Sequence, residues 1–200
     1  KSDYIFVTHG HEDHLHHRSL EKLSNSCKFF YPFSWYGGIK DYAHELGFEE
    51  VTEATSGKTY NLTENTKITY LANNLDSIVI IEAFGKVLVN ANDALHAYPD
   101  KVIDLFIDKI KSRWPKINYL FCGHGGASYY PNSIHCPGKN DLEVAETREQ
   151  FFIHNFCKIS EQIGADISIP FAAGFALLKD NLRWINDTRF ESTHIKNYFK

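Results

Sequence analysis

The chain predicts an α/β fold, on three observations. Short β-branched and aromatic runs alternate with longer stretches whose apolar residues recur every three or four positions, the two periods of strand and helix. No internal repeat, low-complexity linker or composition break divides the 200 residues, so one domain over residues 1–200 is the economical organisation. Hydrophobic residues make up 43% of the chain and aromatics 14%, which excludes a disordered polymer.

Each element has its own signal. Asp3 to His9 (DYIFVTH) is a β-branched and aromatic run that reads as a buried strand. RSLEKLSNS reads as a short helix with Leu20 and Leu23 on one face, and CKFFYPF as a second strand that Pro32 ends. GGIKDYAHELGF is a helix closed by Gly47. Short strands follow around Glu50 to Thr52, Thr59 to Leu62 and Thr66 to Leu71. DSIVIIEAFGKVLVNAND gives two antiparallel strands joined at Phe84-Gly85. PDKVIDLFIDKIKSRW is an amphipathic helix with Pro99 at its opening. INYLFCG is a strand that runs into the glycine-rich loop GHGGASYYP. DLEVAETREQFFIHNFCKISEQIG is a long helix ending at Gly164, and DISIPFAAGFALL returns as strand and loop.

Composition removes several function classes. A net charge of -4 offers no broad basic surface, so nucleic acid is not the expected partner. The most apolar run, SIVIIEAFGKVLV, is broken by Glu82 and Lys86 and cannot span a bilayer. Cys27, Cys122, Cys136 and Cys157 are widely spaced, without a C-x-x-C pair. That argues against a zinc ribbon or a disulfide framework and suits a reducing, cytoplasmic compartment.

The chemistry concentrates in THGHEDHLHH, Thr8 to His17, where five of ten residues are histidine. At the end of a strand, His9 and His11 stand two apart and can point the same way. Asp13 and His14 follow on the next turn, which can fold back to the same point. Three imidazoles and a carboxylate then converge, the donors that zinc, iron and manganese take when thiolate is absent. The alternative is a solvated turn of surface histidines, against which the H-x-H-x-D-H order weighs. His16 and His17 are required by neither reading.

HGHEDH, with an apolar strand before it and a helix after it, resembles the signature of the metallo-β-lactamase superfamily. The resemblance implies an αββα sandwich with one or two divalent metal ions at the sheet edge, zinc first, iron or manganese as alternatives. It implies that His9 and His11 serve one ion while Asp13 and His14 serve the second. Asp93 in VLVNAND then stands where the family has a bridging aspartate, with Asn92 in place of the usual glycine; the weaker alternative for Asp93 is a cap for the helix near Pro99. Two family histidines have no counterpart. TYLANNLDSIVIIEAFG lacks the third-motif histidine, with Asn73 or Asn74 near its place, and SIPFAAGF lacks the last one. His124 either compensates from the opposite lip or is a loop surface residue.

GGASYYP, ETREQFF and IPFAAGF occur in the order seen in CMP-N-acetylneuraminate hydroxylase-like proteins, and VNANDAL resembles their aspartate region. The N-terminal half is similar to the ascorbate-6-phosphate lactonase-like branch. No Rieske Cys/His pairs are present. Family members carry strands ahead of the histidine motif. The resemblance therefore implies a chain that begins inside its own domain, or a partner chain or domain that completes the sheet.

The expected function is metal-dependent hydrolysis of a small molecule by a metal-activated water. The substrate would be a sugar-phosphate, a nucleotide-sugar, or a phosphodiester or lactone. Asp13 or Asp93 would hold the water and accept its proton. Ser128, Tyr129, Tyr130 and Arg148 are the candidate substrate contacts, packing being the alternative for the tyrosines. Two other classes stand beside this one: a hydroxylase-like oxidoreductase component needing a separate electron-transfer domain, and a non-catalytic binding relative.

Overall fold

Strand β1 (Tyr4–Phe6) shows why the N-terminal run is apolar throughout. It pairs in parallel with β2 (Lys28–Pro32), which pairs in parallel with β3 (Val51–Ala54). Helices α1 (His17–Leu20) and α2 (Ile39–Glu45) make the two crossovers. Ile5 and Val7 of the β1 segment join Phe29 and Tyr31 of β2 in a core with Leu20, Ile39, Ala43 and Phe48. Tyr4, Phe6 and Phe30, one position out of phase, join Ala54, Ile68, Tyr70 and Val79 instead. Both faces of the sheet are covered, so alternation is lost and the strand reads as continuous hydrophobicity.

The computed structural model describes residues 2–33, 37–126, 137–172, 176–188 and 192–200. By its contacts the chain divides into two compact units, Lys1–Asn90 and Ala91–Lys200. The first unit also holds the antiparallel strands β4 (Thr59–Thr63), β5 (Thr66–Asn73), β6 (Asp76–Ala83) and β7 (Lys86–Asn92), each paired with the next. The expected turn at Phe84-Gly85 is there, with φ of 50° and 74° at the two residues, as a tight hairpin demands. The Tyr4 hydroxyl donates to Leu62 O at 2.7 Å and that of Tyr70 to Phe30 O at 3.2 Å, stitching this sheet onto the parallel one. Full burial of side chains such as Ile68 and Phe29 stabilises the unit by about 1.5–3 kcal/mol each.

Helix α1 is shorter than the pattern suggested. Ser24 and Ser26 bond to each other at 2.8 Å, and Cys27 N donates to Ser24 O at 2.9 Å, so the serine-rich end forms a turn instead.

In the second unit, α3 (Asp93–His96) precedes α4 (Asp100–Arg113), β8 (Tyr119–Gly123), α5 (Asp141–Ile163) and β9 (Ile167–Phe171). A 3₁₀ helix (Asp180–Thr188) and α6 (Ser192–Tyr198) close the chain. Strands β8 and β9 run parallel, from Tyr119 opposite Ile167 to Gly123 opposite Phe171. Helix α4 buries Ile103, Ile107 and Ile110, the apolar stripe read from its sequence. Asn140 caps α5 by accepting from Leu142 N and Glu143 N, and Gly164 ends it with φ of 62°. Lys158 Nζ reaches Asp100 at 2.9 Å and Asp104 at 3.1 Å, and Gln162 donates to Asp104 at 3.1 Å, pinning α5 to α4. Helices α3 and α6 and the 3₁₀ helix lie outside the predicted elements; in the last only Ile185 and Thr188 are buried, too few to give a period.

Among the described residues Cys27, Cys122 and Cys157 are buried free thiols, and no helix is long and apolar enough to cross a membrane.

Candidate metal centre

His9 follows directly from β1, at the carboxyl end of a parallel strand, where α/β sheets open their sites. It is 1% exposed. The Thr8 hydroxyl lies 3.1 Å from His9 Nδ1 and fixes the ring, which leaves Nε2 to face the site. After Gly10 the chain makes one helical turn: His14 N and Leu15 N both donate to His11 O, at 2.9 and 2.8 Å. That turn folds His14 back onto His9. The rings of His9 and His11 meet edge-on at 4.6 Å, and those of His9 and His14 lie 4.1 Å apart.

The acidic donor in this unit comes from far along the chain. Asp76 opens β6 after the two-residue turn Asn74-Leu75, where Asn74 takes φ of 56°. The next residue, Ser77, donates its hydroxyl to Thr8 O at 2.5 Å and so locks the start of β6 to the strand that carries His9. Donor atoms of His9, His11 and Asp76 all lie within 4.8 Å of one another. His9 Nε2 stands 3.6 Å from Asp76 Oδ1, too long for a hydrogen bond. Two donors each about 2.1 Å from one ion in a tetrahedral arrangement are separated by about 3.4 Å. Donor chemistry and spacing therefore fit a divalent metal ion held by His9, His11 and Asp76.

The remaining residues of the histidine motif separate into two kinds. Asp13 has a side chain 78% exposed and lies 3.3 Å from His14 Nε2. His16 bonds to Ser19 at 2.8 Å. His17 is occupied on both nitrogens, Nδ1 at 2.8 Å from the Tyr42 hydroxyl and Nε2 at 3.1 Å from Glu21. The sequence reading left His16 and His17 out of the ligand set, and these are the partners the structure gives them.

In the second unit Asp93 is the first residue of α3. Its neighbour Asn92, 2% exposed, takes φ of 47° and ψ of -127°, a conformation suited to glycine, which is the residue the family pattern has there. The strain turns the chain sharply from β7 into α3 and sets the direction of Asp93. Asp93 caps no helix at Pro99; α4 has Pro99 itself at its N-terminal boundary. Three residues on, His96 lies on the same helix face. Burial lowers its pKa below the usual 6.5, opposed by the Asp93 carboxylate and the Gly125 backbone and reinforced by His124. His96 is packed hard: a Cβ on Gly123 would stand 3.0 Å from its Nδ1. Asn155 of α5 donates to His96 O at 2.8 Å and to Tyr98 O at 3.2 Å, which clamps the end of α3.

His124, beyond β8, is half-buried, its ring 6.1 Å from that of Phe156. Burial lowers its pKa, offset by the Phe171 backbone and the Glu149 carboxylate. Arg148 is 92% buried at its side chain (8% exposed) and pairs with Glu149 at 3.2 Å, a position that favours an internal ion pair over substrate contact. Ser128, Tyr129 and Tyr130 lie outside the described residues.

The structure thus gathers His9 and His11 with Asp76, and packs His14 against His9, in one unit; in the other it brings Asp93 and His124 to His96. Two residues were missed from the sequence. His96 had a signal, the D-x-x-H spacing of Asp93 to His96. Asp76 sits within TYLANNLDSIVIIEAFG, where the family pattern places an imidazole, and no local motif marks it as a donor.

No protein-family model and no curated protein matches the sequence. Among solved structures, a variant of the CmlA beta-hydroxylase matches with a TM-score of 0.67 at 15% identity, over 98% of this chain and 40% of that one. CmlA itself, described as a diiron beta-hydroxylase from Streptomyces venezuelae, matches with a TM-score of 0.63 at 15% identity, over 96% and 39%. The chain spans about 40% of the length of these relatives. At this identity the likeness is one of fold, and the fold is the mixed α/β metallo-β-lactamase fold that the sequence predicts.

Proposed function

We propose that this chain of metallo-β-lactamase fold is the metal-holding part of an iron-dependent oxidoreductase that hydroxylates a small molecule. One observation carries the reading: the donor set His9, His11 and Asp76, two imidazoles and a carboxylate. Two imidazoles and a carboxylate with open positions are a donor set of non-haem ferrous oxygenases, and catalytic zinc accepts the same set. The fold likeness to a protein described as a diiron beta-hydroxylase supports it. Iron held by these residues would supply dioxygen activation, with electrons from a separate domain or partner. The protein's own residues do the rest. Thr8 holds the His9 ring, Ser77 holds Asp76 in reach, and Asp13 stands exposed beside His14. Asp93, aimed by Asn92, is the candidate ligand or base of the second unit, with His124 as a further candidate ligand.

Hydrolysis is the second reading, favoured by the H-x-H-x-D-H order with its solvent-facing Asp13. Metal-free protein loaded separately with ferrous iron and with zinc distinguishes the two. With reductant present, the iron form should consume dioxygen faster than the His11→Ala variant, and the zinc form should be inert. Turnover of a phosphodiester or lactone panel by the zinc form, with no dioxygen consumption by the iron form, would establish hydrolysis instead.

A further inference from the structure

We infer that the cavity beside His9 and His11 takes the neutral, apolar part of the substrate, an aromatic ring or branched aliphatic group, with the Tyr42 hydroxyl accepting a hydrogen bond from it. The inference rests on the reading of His9, His11 and Asp76 as a catalytic metal centre. The cavity encloses about 430 Å³ and lies wholly within the first unit, inside the range of small-molecule sites. Its walls are Leu15, Ile39, Leu75 and the Tyr42 ring. Its floor is the backbone of Gly37 and Gly38, at φ of 61° and 77°, with no atom within 4 Å of where a Cβ would stand.

Among the described residues that line this cavity there is no lysine, arginine, aspartate or glutamate. Away from the ion that His9 and His11 would hold at its edge, a phosphate in this cavity would lose its hydration and meet no counter-charge, which is a heavy penalty in an apolar site. The lining thus favours a neutral group over the sugar-phosphate or nucleotide-sugar first expected.

Apart from the two histidines, Tyr42 brings the polar atom. Its hydroxyl lies 2.8 Å from His17 Nδ1, and His17 Nε2 lies 3.1 Å from the Glu21 carboxylate. A carboxylate only accepts, so Nε2 donates to Glu21, and Nδ1 is the atom engaged with the Tyr42 hydroxyl. The Tyr42 oxygen is left with its lone pairs to receive an N–H or O–H. His17, outside the ligand set, is on this account a positioning residue for substrate recognition.

Binding of indole, toluene and inorganic phosphate to the metal-loaded full chain tests the inference. Indole should bind, and phosphate should not displace it from the Asp76→Ala variant, where no ion is held to receive the phosphate. Leu75→Lys should weaken indole at least tenfold with metal stoichiometry unchanged. Gly10→Ala should also weaken it; its added methyl would stand 3.6 Å from Ile39 Cδ1, an ordinary contact that narrows the cavity without disturbing the fold. Tyr42→Phe should weaken indole severalfold and leave toluene unchanged. Asp76→Ala should lose metal yet keep indole, so a failure of the metal centre is told apart from a failure of the cavity. Displacement of indole from the Asp76→Ala variant by phosphate, or indole affinity indifferent to both Leu75→Lys and Gly10→Ala, would overturn the inference.

Discussion

Asp76 shows at the scale of one residue what the sequence could and could not reveal. His9, His11 and His14 are legible because six consecutive residues and one helical turn bring them together. Asp76 reaches the same point only through the Ser77–Thr8 hydrogen bond, between residues 69 apart in the chain, which no local pattern announces. Asp76→Ala should lower iron affinity at least tenfold in a competitive chelator titration. Asp76→His should bind metal but shift the preference from iron toward zinc, since it replaces a hard oxygen donor with imidazole. Asn92 carries the other local claim. Asn92→Gly should leave stability unchanged or raise it, whereas Asn92→Ala should cost about 1–3 kcal/mol by urea denaturation, because alanine lacks both glycine's freedom and asparagine's greater tolerance of positive φ.

At the scale of elements, long periodic segments were legible and short ones were not. Helices α4 and α5 declared themselves through apolar spacing, the Asn140 cap and the Gly164 stop. The four-residue α3 is too short to show a period, and it depends on tertiary support: Asn155 bonds its C-terminal carbonyls, and Gly123 makes room for His96. Asn155→Leu removes both bonds and leaves two buried carbonyls to find other donors. It should cost about 1–3 kcal/mol of stability. The same variant should leave ion binding by His9, His11 and Asp76 intact, since those donors lie on other elements, and a metal titration beside the denaturation curve checks both halves.

At the scale of the whole molecule, stability is tied to pH by the buried histidine of α3. Burial depresses the pKa of His96, so the unfolded chain takes up a proton that the folded one resists. Its contribution is present above the ordinary value of about 6.5 and is lost as pH falls through the folded value. His124, shifted the same way by burial, adds a loss of the same sign. Metal-free protein should therefore be less stable at pH 5.5 than at pH 8, and His96→Gln should flatten that acid limb. An acid limb unchanged in His96→Gln would assign the loss to other groups. The fold class was legible throughout because both periodicities run the length of the chain.

The central claim is that His9, His11 and Asp76 hold one metal ion. Anomalous scattering from crystals of the iron-loaded protein, recorded on either side of the iron edge, tests it most directly. The account predicts an iron peak bonded by the imidazoles of His9 and His11 and the carboxylate of Asp76, and its loss in Asp76→Ala. An iron peak whose ligands leave out Asp76, or no peak at His9 and His11 in protein shown to contain iron, would contradict it.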